Sequence, residues 1–282
     1  MTRRGLAIGC GGTLGFAWTA IALQAVEQDL SWDARTASVL VGTSAGAEMV
    51  ALLGSGRSVT DVVHALGSPG PGIRPPLPRL RWPALGLLGR RDLDPLGRLA
   101  GLLPEGGGDA TWLREFGARL AGPNGWVEHP ATWIVAADAR TGERVAFGSP
   151  GAPRVPLGEA IAASWAIPGW FPPVSLAGRR FVDGGTVSSV SADLVAPLEL
   201  DELVVVAPMT SRDPVPARGL TRLERVLRRR MTRGLDRELR TVAGTRVIRV
   251  EPDQAALAAM GFNFMDHRRL PATITAARGV LS

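Results

Sequence analysis

Two side chains in this 282-residue sequence have both the chemistry and the setting for nucleophilic catalysis. Ser44 lies in Gly42-Thr-Ser-Ala-Gly46, a G-x-S-x-G sequence that follows the apolar run Val39-Leu-Val41 and precedes an Ala/Leu-rich stretch. Glycines two residues to either side of the serine let a strand turn sharply into a helix, which presents the hydroxyl while neighbouring backbone passes close by. The helix that starts there brings its positive end beneath the hydroxyl and favours developing negative charge. Asp183 ends the strand-like run Arg179-Arg-Phe-Val and is followed by Gly184 and Gly185, a setting in which a carboxylate can point into a cleft. A third element, Gly9-Cys-Gly-Gly-Thr-Leu-Gly15, offers backbone N–H groups near a helix start, suited to an anion or a tetrahedral oxyanion. Its spacing does not fit the dinucleotide fingerprint G-x-G-x-x-G, because the sixth position counted from Gly9 is Leu14.

An activated serine needs a base. Ser44, then Asp183 or Asp201, then His267 run in the chain order of an α/β-hydrolase triad. That fold sets several strands before its serine turn, whereas here about one precedes the strand carrying Ser44, and His267 sits in the charged stretch Met-Asp-His-Arg-Arg. Asp183 acting without histidine is the other assignment, and a plain Asp-Gly turn is the bland one.

Composition narrows the field further. All 32 basic residues are arginine, so a P-loop lysine, a Schiff-base lysine and a Ser-Lys pair are excluded. The single cysteine, Cys10, excludes an intramolecular disulfide and any cysteine-cluster metal site. His64, His129 and His267 lie far apart, and no HExxH pair occurs, so neither metal nor organic cofactor is expected.

The elements that must position these groups follow from periodicity. Gly5 to Gly9 reads as a buried strand, Gly11 to Gly15 as a tight loop, and Phe16 to Gln28 as a helix. Further strands are predicted at Thr132–Ala137, Glu143–Phe147, Arg180–Val182, Leu203–Ala207 and Val247–Val250, with helices near Leu157–Trp165 and Leu220–Val242 and a helical C-terminus. Alternating strands and helices predict an α/β fold with a largely parallel sheet. Glycines at 9, 11, 12 and 15 break the first apolar stretch, so it is read as neither a signal peptide nor a membrane span, and no other window reaches about 18 uninterrupted apolar residues.

Together, the glycine loop leading into Phe16-Ala-Trp18, Val41-Gly-Thr-Ser-Ala-Gly46, Ala163-Ser-Trp-Ala-Ile-Pro-Gly-Trp-Phe-Pro-Pro173 and Val182-Asp-Gly-Gly185 resemble the patatin-like phospholipase family, most closely its bacterial members. The resemblance spans roughly Gly5 to Met209 apart from a Pro-rich insertion. It implies a three-layer fold with a mostly parallel central sheet between helices, and lipid acyl hydrolysis by a Ser-Asp dyad. Carried over by motif, Ser44 is the nucleophile, Asp183 the base, Gly11 and Gly12 the oxyanion-hole donors, and Gly42, Gly46, Gly184 and Gly185 the residues that support the motifs. The family loop usually begins with glycine and has Arg or Lys before its last glycine; here Cys10 and Leu14 take those positions. A catalytically silent lipid-binding relative is the remaining class.

One domain over 1–282 is expected, with a core of about 5–210, a Pro/Gly-rich insertion at 67–108 and a basic C-terminal helical region at 217–282. In the insertion, Trp82, Leu85, Leu87 and Leu88 interleave with Arg79, Arg81, Arg90 and Arg91, a composition suited to a lid that meets lipid or to a loop packed on the domain. Between Ala217 and Arg249 eleven arginines face three acids, while Leu220, Leu223, Val226, Leu227, Met231, Leu235, Leu239 and Val242 recur at helical spacing. The expected helix turns an apolar stripe to the core and a basic face outward. That face suits anionic headgroups, and no nucleic-acid motif accompanies it. The expected partner is thus a lipid or phospholipid ester, with peripheral contact to anionic membrane and a cytoplasmic location; the sequence leaves the oligomeric state open.

Overall fold

The computed structural model describes residues 2–66, 105–212 and 221–279. Its centre is one eight-stranded mixed sheet: β1 (Arg4–Ile8), β2 (Val39–Thr43), β3 (Thr132–Asp138), β4 (Arg144–Phe147), β5 (Val174–Leu176), β6 (Arg179–Asp183), β7 (Glu202–Val206) and β8 (Arg246–Val250). The run β3-β2-β1-β7-β8 is parallel throughout. β4 and β6 pair antiparallel with β3, and β5 pairs antiparallel with β6. The largely parallel expectation is met in the central strands, with three antiparallel strands collected around β3.

Strand alternation builds two cores, one on each face of the sheet. Leu6, Ile8, Leu40, Ile134, Ala136, Val204 and Val206 enter the larger core. Their neighbours Ala7, Val39, Val41, Trp133, Val135, Leu203 and Val205 enter the other. On the first face lie α1 (Gly12–Asp29), α2 (Ala45–Gly54), α3 (Val59–Ala65), α4 (Thr111–Leu120), α5 (Leu157–Ser164), α7 (Gln254–Met260) and α8 (Leu270–Gly279). On the second lie α6 (Thr221–Thr241) and the 3₁₀ segment Ala192–Leu198.

Two expectations change. The glycine stretch Gly11 to Gly15 is not a loop throughout, because α1 begins at Gly12 and the Gly15 amide already donates to Gly11 O at 2.9 Å to close the first turn. On α6 the apolar stripe does not face only the core. Val226 is 44% exposed, while Glu224 and Arg228 are buried, because these two pair with each other at 2.8 Å and so can leave water. Residues 67–104 of the insertion lie outside the described residues, so its reading as a lid does too; its last part is seated, with Gly108 N donating to Trp170 O at 2.9 Å.

α4 and α5 cross at glycine. A side-chain carbon added to Gly158 would lie 2.3 Å from Arg114 O, and one added to Gly117 would lie 2.4 Å from Gly158 Cα. This close approach seats α5, whose last residue is Ser164, against the sheet. Gly158→Ala is expected to cost about 1–3 kcal/mol by overpacking the crossing, read as a lower denaturant midpoint at an unchanged slope.

Candidate active site

The ladder around β3 brings the two sequence candidates together. β4 occupies one edge of β3, pairing Ile134 to Ala137 with Phe147 to Arg144. The other edge is shared: β2 covers Thr132 to Val135 and ends with Thr43 opposite Val135, and β6 covers Ala136 to Asp138 with Asp183 opposite Ala136. β2 runs parallel to β3 and β6 antiparallel, so the two strands meet head-on, and Ser44 and Asp183 face each other across that junction. A side-chain carbon on Gly184 would lie 2.8 Å from Val135 O and 3.1 Å from Thr43 Cγ2, which measures how tightly the junction is closed.

Ser44 itself holds φ 57° and ψ −119°, a left-handed conformation rare for a side-chain-bearing residue. Strain of this kind costs about 1–3 kcal/mol and persists only where the surroundings impose it. Added carbons on Gly42 and Gly46 would lie 2.3 Å from Gly46 O and 2.2 Å from Ile8 O, so the flanking glycines let two backbones touch. The Ser44 amide donates to Ser164 Oγ at 2.8 Å, and the Ser164 hydroxyl donates to Val135 O at 2.6 Å. Ser164 thereby fastens the strained turn to the β3 residue where β2 gives way to β6. The sequence places Ser164 within a motif without assigning it a role; its full burial at the end of the alanine-rich α5 is what marks it.

Asp183 is 4% exposed, and its Oδ1 accepts from the Gly185 amide at 2.7 Å. Burial pushes its pKa up to about 7, opposed by hydrogen bonding from the Ser44 hydroxyl and the Gly185 amide. A carboxyl poised there can change protonation near neutrality, which is what a general base requires.

The glycine stretch lies beside them. Gly9 N donates to Val206 O, Cys10 N to Ser189 O at 2.8 Å and Leu14 N to Phe264 O at 3.0 Å. Gly11 and Gly12 line the cavity, and their amides have no acceptor among the described residues. Gly12 has φ 57°, and an added carbon there would lie 2.9 Å from Met265 Sδ and 3.0 Å from Phe264 O, so residues 264 and 265 brace the loop from outside. Both departures from the family loop have a physical setting. The Cys10 side chain packs where Gly185 leaves room, with Sγ 3.0 Å from the place of an added carbon, and burial together with the Asp183 charge pushes its thiol up, keeping it protonated. Leu14 is fully buried in the larger core.

Ser44, Asp183, Gly11, Gly12 and Gly185 open onto one cavity of about 520 Å³, walled by Ile167, Pro168 and Trp170, by Phe262 to Met265 and by one side of α6. Arg228 stands behind that wall, only 2% exposed. Its guanidinium pairs with Glu224, donates to Pro208 O at 2.7 Å and Thr210 O at 3.2 Å, and lies 5.6 Å from the Phe264 ring centroid. It thus ties together the two segments that press on the glycine loop, since Pro208 packs against Gly11 and Gly15. Glu238 does similar work, accepting from Ser188 Oγ and, at 2.9 Å, from Ala192 N. Neither residue was marked by sequence, where each looks like one more charge on a basic helix.

The histidine alternative is not assembled. None of the three histidines lines the cavity. His129 Nε2 lies 2.8 Å from Ala37 O and its Nδ1 3.1 Å from Thr132 Oγ1, a structural bridge. Asp201 sits at the opposite end of the parallel strands, where its carboxylate accepts from the Arg3 amide at 2.6 Å.

The patatin-like phospholipase family model matches residues 6–196. No curated protein sequence matches the chain. Among solved structures, VipD from Legionella pneumophila aligns over 100% of this chain and 67% of that chain, at 13% identity and a TM-score of 0.45.

The burial of Asp183 has a thermodynamic consequence. An unfolded aspartate ionises near its ordinary value of 3.8, whereas the folded chain keeps this proton to about 7, so between those values the folded state binds more protons and stability falls as pH rises. Asp183→Asn removes that cost. Its melting temperature is expected to exceed the parent's at about pH 8, by up to about 4 kcal/mol in stability, with the gap closing by about pH 4. Equal melting curves across that range would show that Asp183 ionises normally.

Proposed function

The chain belongs to the patatin-like phospholipase family, whose members are lipid acyl hydrolases, and from that premise we propose that it cleaves fatty-acyl esters of lipids through Ser44 and Asp183 alone. What supports this most is the meeting of β2 and β6 on consecutive positions of β3, which sets the Ser44 hydroxyl against a buried carboxyl. Ionised Asp183 takes the Ser44 proton as Oγ attacks the ester carbonyl. The tetrahedral oxyanion accepts hydrogen bonds from the Gly11 and Gly12 amides, reinforced by the start of α1. Collapse breaks the carbonyl–alkoxy bond, and the proton on Asp183 passes to the departing alcohol, leaving an acyl-Ser44 ester. Asp183 then deprotonates a water that attacks this ester, and a second oxyanion collapses to fatty acid and free Ser44. Each cycle consumes one water and returns the carboxylate. The chemistry calls on no metal or organic cofactor.

The helices after residue 220 belong to the same working unit in this reading, since Phe264 and α6 complete the cavity that the N-terminal half begins. Phe262 at the cavity is 52% exposed, and Val226 on α6 is 44% exposed beside the outward arginines Arg229 and Arg233. An apolar tip amid arginine suits an anionic membrane surface, from which the ester would enter. Among the described residues no helix is long and apolar enough to cross a membrane, so this contact is proposed as peripheral.

Ser44→Ala is expected to abolish labelling by a fluorophosphonate and to lower kcat/KM on a short-chain ester by at least about 10⁴-fold. In the parent, kcat/KM should rise with pH through about 7 as Asp183 ionises, and Asp183→Asn should remove both the limb and the activity. His267→Ala separates the dyad from a triad: retained activity supports Asp183 as the only base, and a loss matching that of Ser44→Ala would install the histidine instead. Binding to vesicles that contain phosphatidylglycerol should weaken as salt rises from about 0.05 to 0.5 M, measured by co-sedimentation.

A further inference from the structure

Resting on the acyl-hydrolase reading above, we infer that Gly234 on α6 is a specificity-determining position: the space it leaves open beside the cavity takes the far end of the substrate's acyl chain and sets the longest chain accepted. α6 lies beyond residues 6–196 that the family model matches, so the family match does not account for the wall it builds. Glycine is, after proline, the residue least suited to a helix interior, and Gly234 stands well inside Thr221–Thr241. No local need explains it. Its φ is not in the left-handed region, and a side-chain carbon added there would meet nothing within 4 Å among the described residues. The other glycines inside described helices, Gly15, Gly46, Gly117 and Gly158, each have a neighbour within 3.3 Å of that place. Those four are small so that another segment can come close, whereas Gly234 is small and faces open space.

The surface that leads to this gap is apolar. Leu227, Met231 and Gly234 line the cavity and recur at the four-and-three spacing of one helix face. Leu227 and Met231 are half-buried yet enter neither core of the sheet, so their apolar surface is turned to the cavity instead. Ser44 and Asp183 open onto the same cavity. An acyl group held at Ser44 therefore has an apolar wall along Leu227 and Met231 that ends at the Gly234 gap. Arg230 and Arg237 flank the gap, one turn to either side. Arg230 is already engaged within the protein and Arg237 is exposed, so what each offers the gap is its aliphatic stem. A leucine at position 234 would fill the gap. Methylenes that reach so far would lose their apolar burial, and chains too short to reach it would not.

The test reads binding and hydrolysis separately, each on the full chain. With Ser44→Ala in place to prevent turnover, p-nitrophenyl decanoate and p-nitrophenyl butyrate are titrated as monomers and followed by quenching of tryptophan fluorescence. The decanoate is expected to bind more tightly, and adding Gly234→Leu should cut its advantage over the butyrate at least about tenfold, the worth of two methylenes expelled from apolar surface. Arg240→Leu, which puts the same side chain on an exposed part of α6 outside the cavity, should keep that advantage. An advantage unchanged by Gly234→Leu would overturn the inference. Gly234→Ala should melt above the parent, as a better helix former in open space does; a lower melting temperature would show that packing demands the glycine and would overturn the inference too. With Ser44 restored, the decanoate-to-butyrate ratio of kcat/KM should fall on Gly234→Leu by a similar factor, while the reversed ester, decyl acetate, changes less. An equal fall for decyl acetate would place the alcohol chain in the gap and overturn the acyl assignment. Release of p-nitrophenol scores the hydrolase reading by itself: binding that depends on chain length and on Gly234, without release, keeps the inference and refutes hydrolysis, and release with a chain preference that survives Gly234→Leu does the reverse.

Discussion

Everything at this site depends on one edge of one strand. β3 is paired along its first half by parallel β2 and along its second half by antiparallel β6, so two chain directions converge on the junction between Val135 and Ala136. Neither incoming strand can run on, because each occupies the space the other would need. The chain must leave the sheet at Ser44 and again after Asp183. The strained turn, the small residues around it and the burial of the carboxyl all follow from that collision. Because strand side chains alternate between faces, a slip of β6 by one residue would turn Asp183 to the other side of the sheet and remove it from Ser44.

Holding the junction takes groups from far along the chain. Ser164, 120 residues after Ser44, satisfies the Ser44 amide and anchors it to Val135 O. Buried polar atoms left unpaired here would cost about 1–3 kcal/mol each, so the serine stabilises as well as orients. On the second face of the sheet, the buried Arg228 and the partly buried Glu238 of α6 secure the segments that flank the glycine loop. One helix thus serves three neighbours: charged groups inward to the framework, apolar groups to the cavity, and arginines to water.

Much of this was legible in the sequence because it is local. The serine turn, the Asp-Gly-Gly end of β6 and the glycine stretch each carry their steric reason within a few residues. Strand alternation likewise announced the sheet, and its two cores follow from residues such as Leu6, Ala7 and Ile8 taken in turn. What was not legible lies in contacts between distant segments. Ser164 becomes informative only once α5 ends beside β3, and Arg228 looks solvent-facing until Glu224 one turn earlier pairs with it. The glycine stretch is helical from Gly12 rather than a loop throughout, and the Phe264 and Pro208 wall that packs against its first turn is not contained in local spacing.

The bond from the Leu14 amide to Phe264 O joins positions 250 residues apart, and it fixes an order of events. A ribosome delivers Gly11 and Gly12 among the first residues and Phe264 only near the end of these 282. A chain partway through synthesis therefore holds Ser44 and Asp183 while the Gly11 and Gly12 amides remain unsupported on one side. Docking of the segment after α7 is what braces the glycine loop. A truncation before Phe264 would therefore leave Ser44 and Asp183 on the sheet with the glycine loop unbraced on one side.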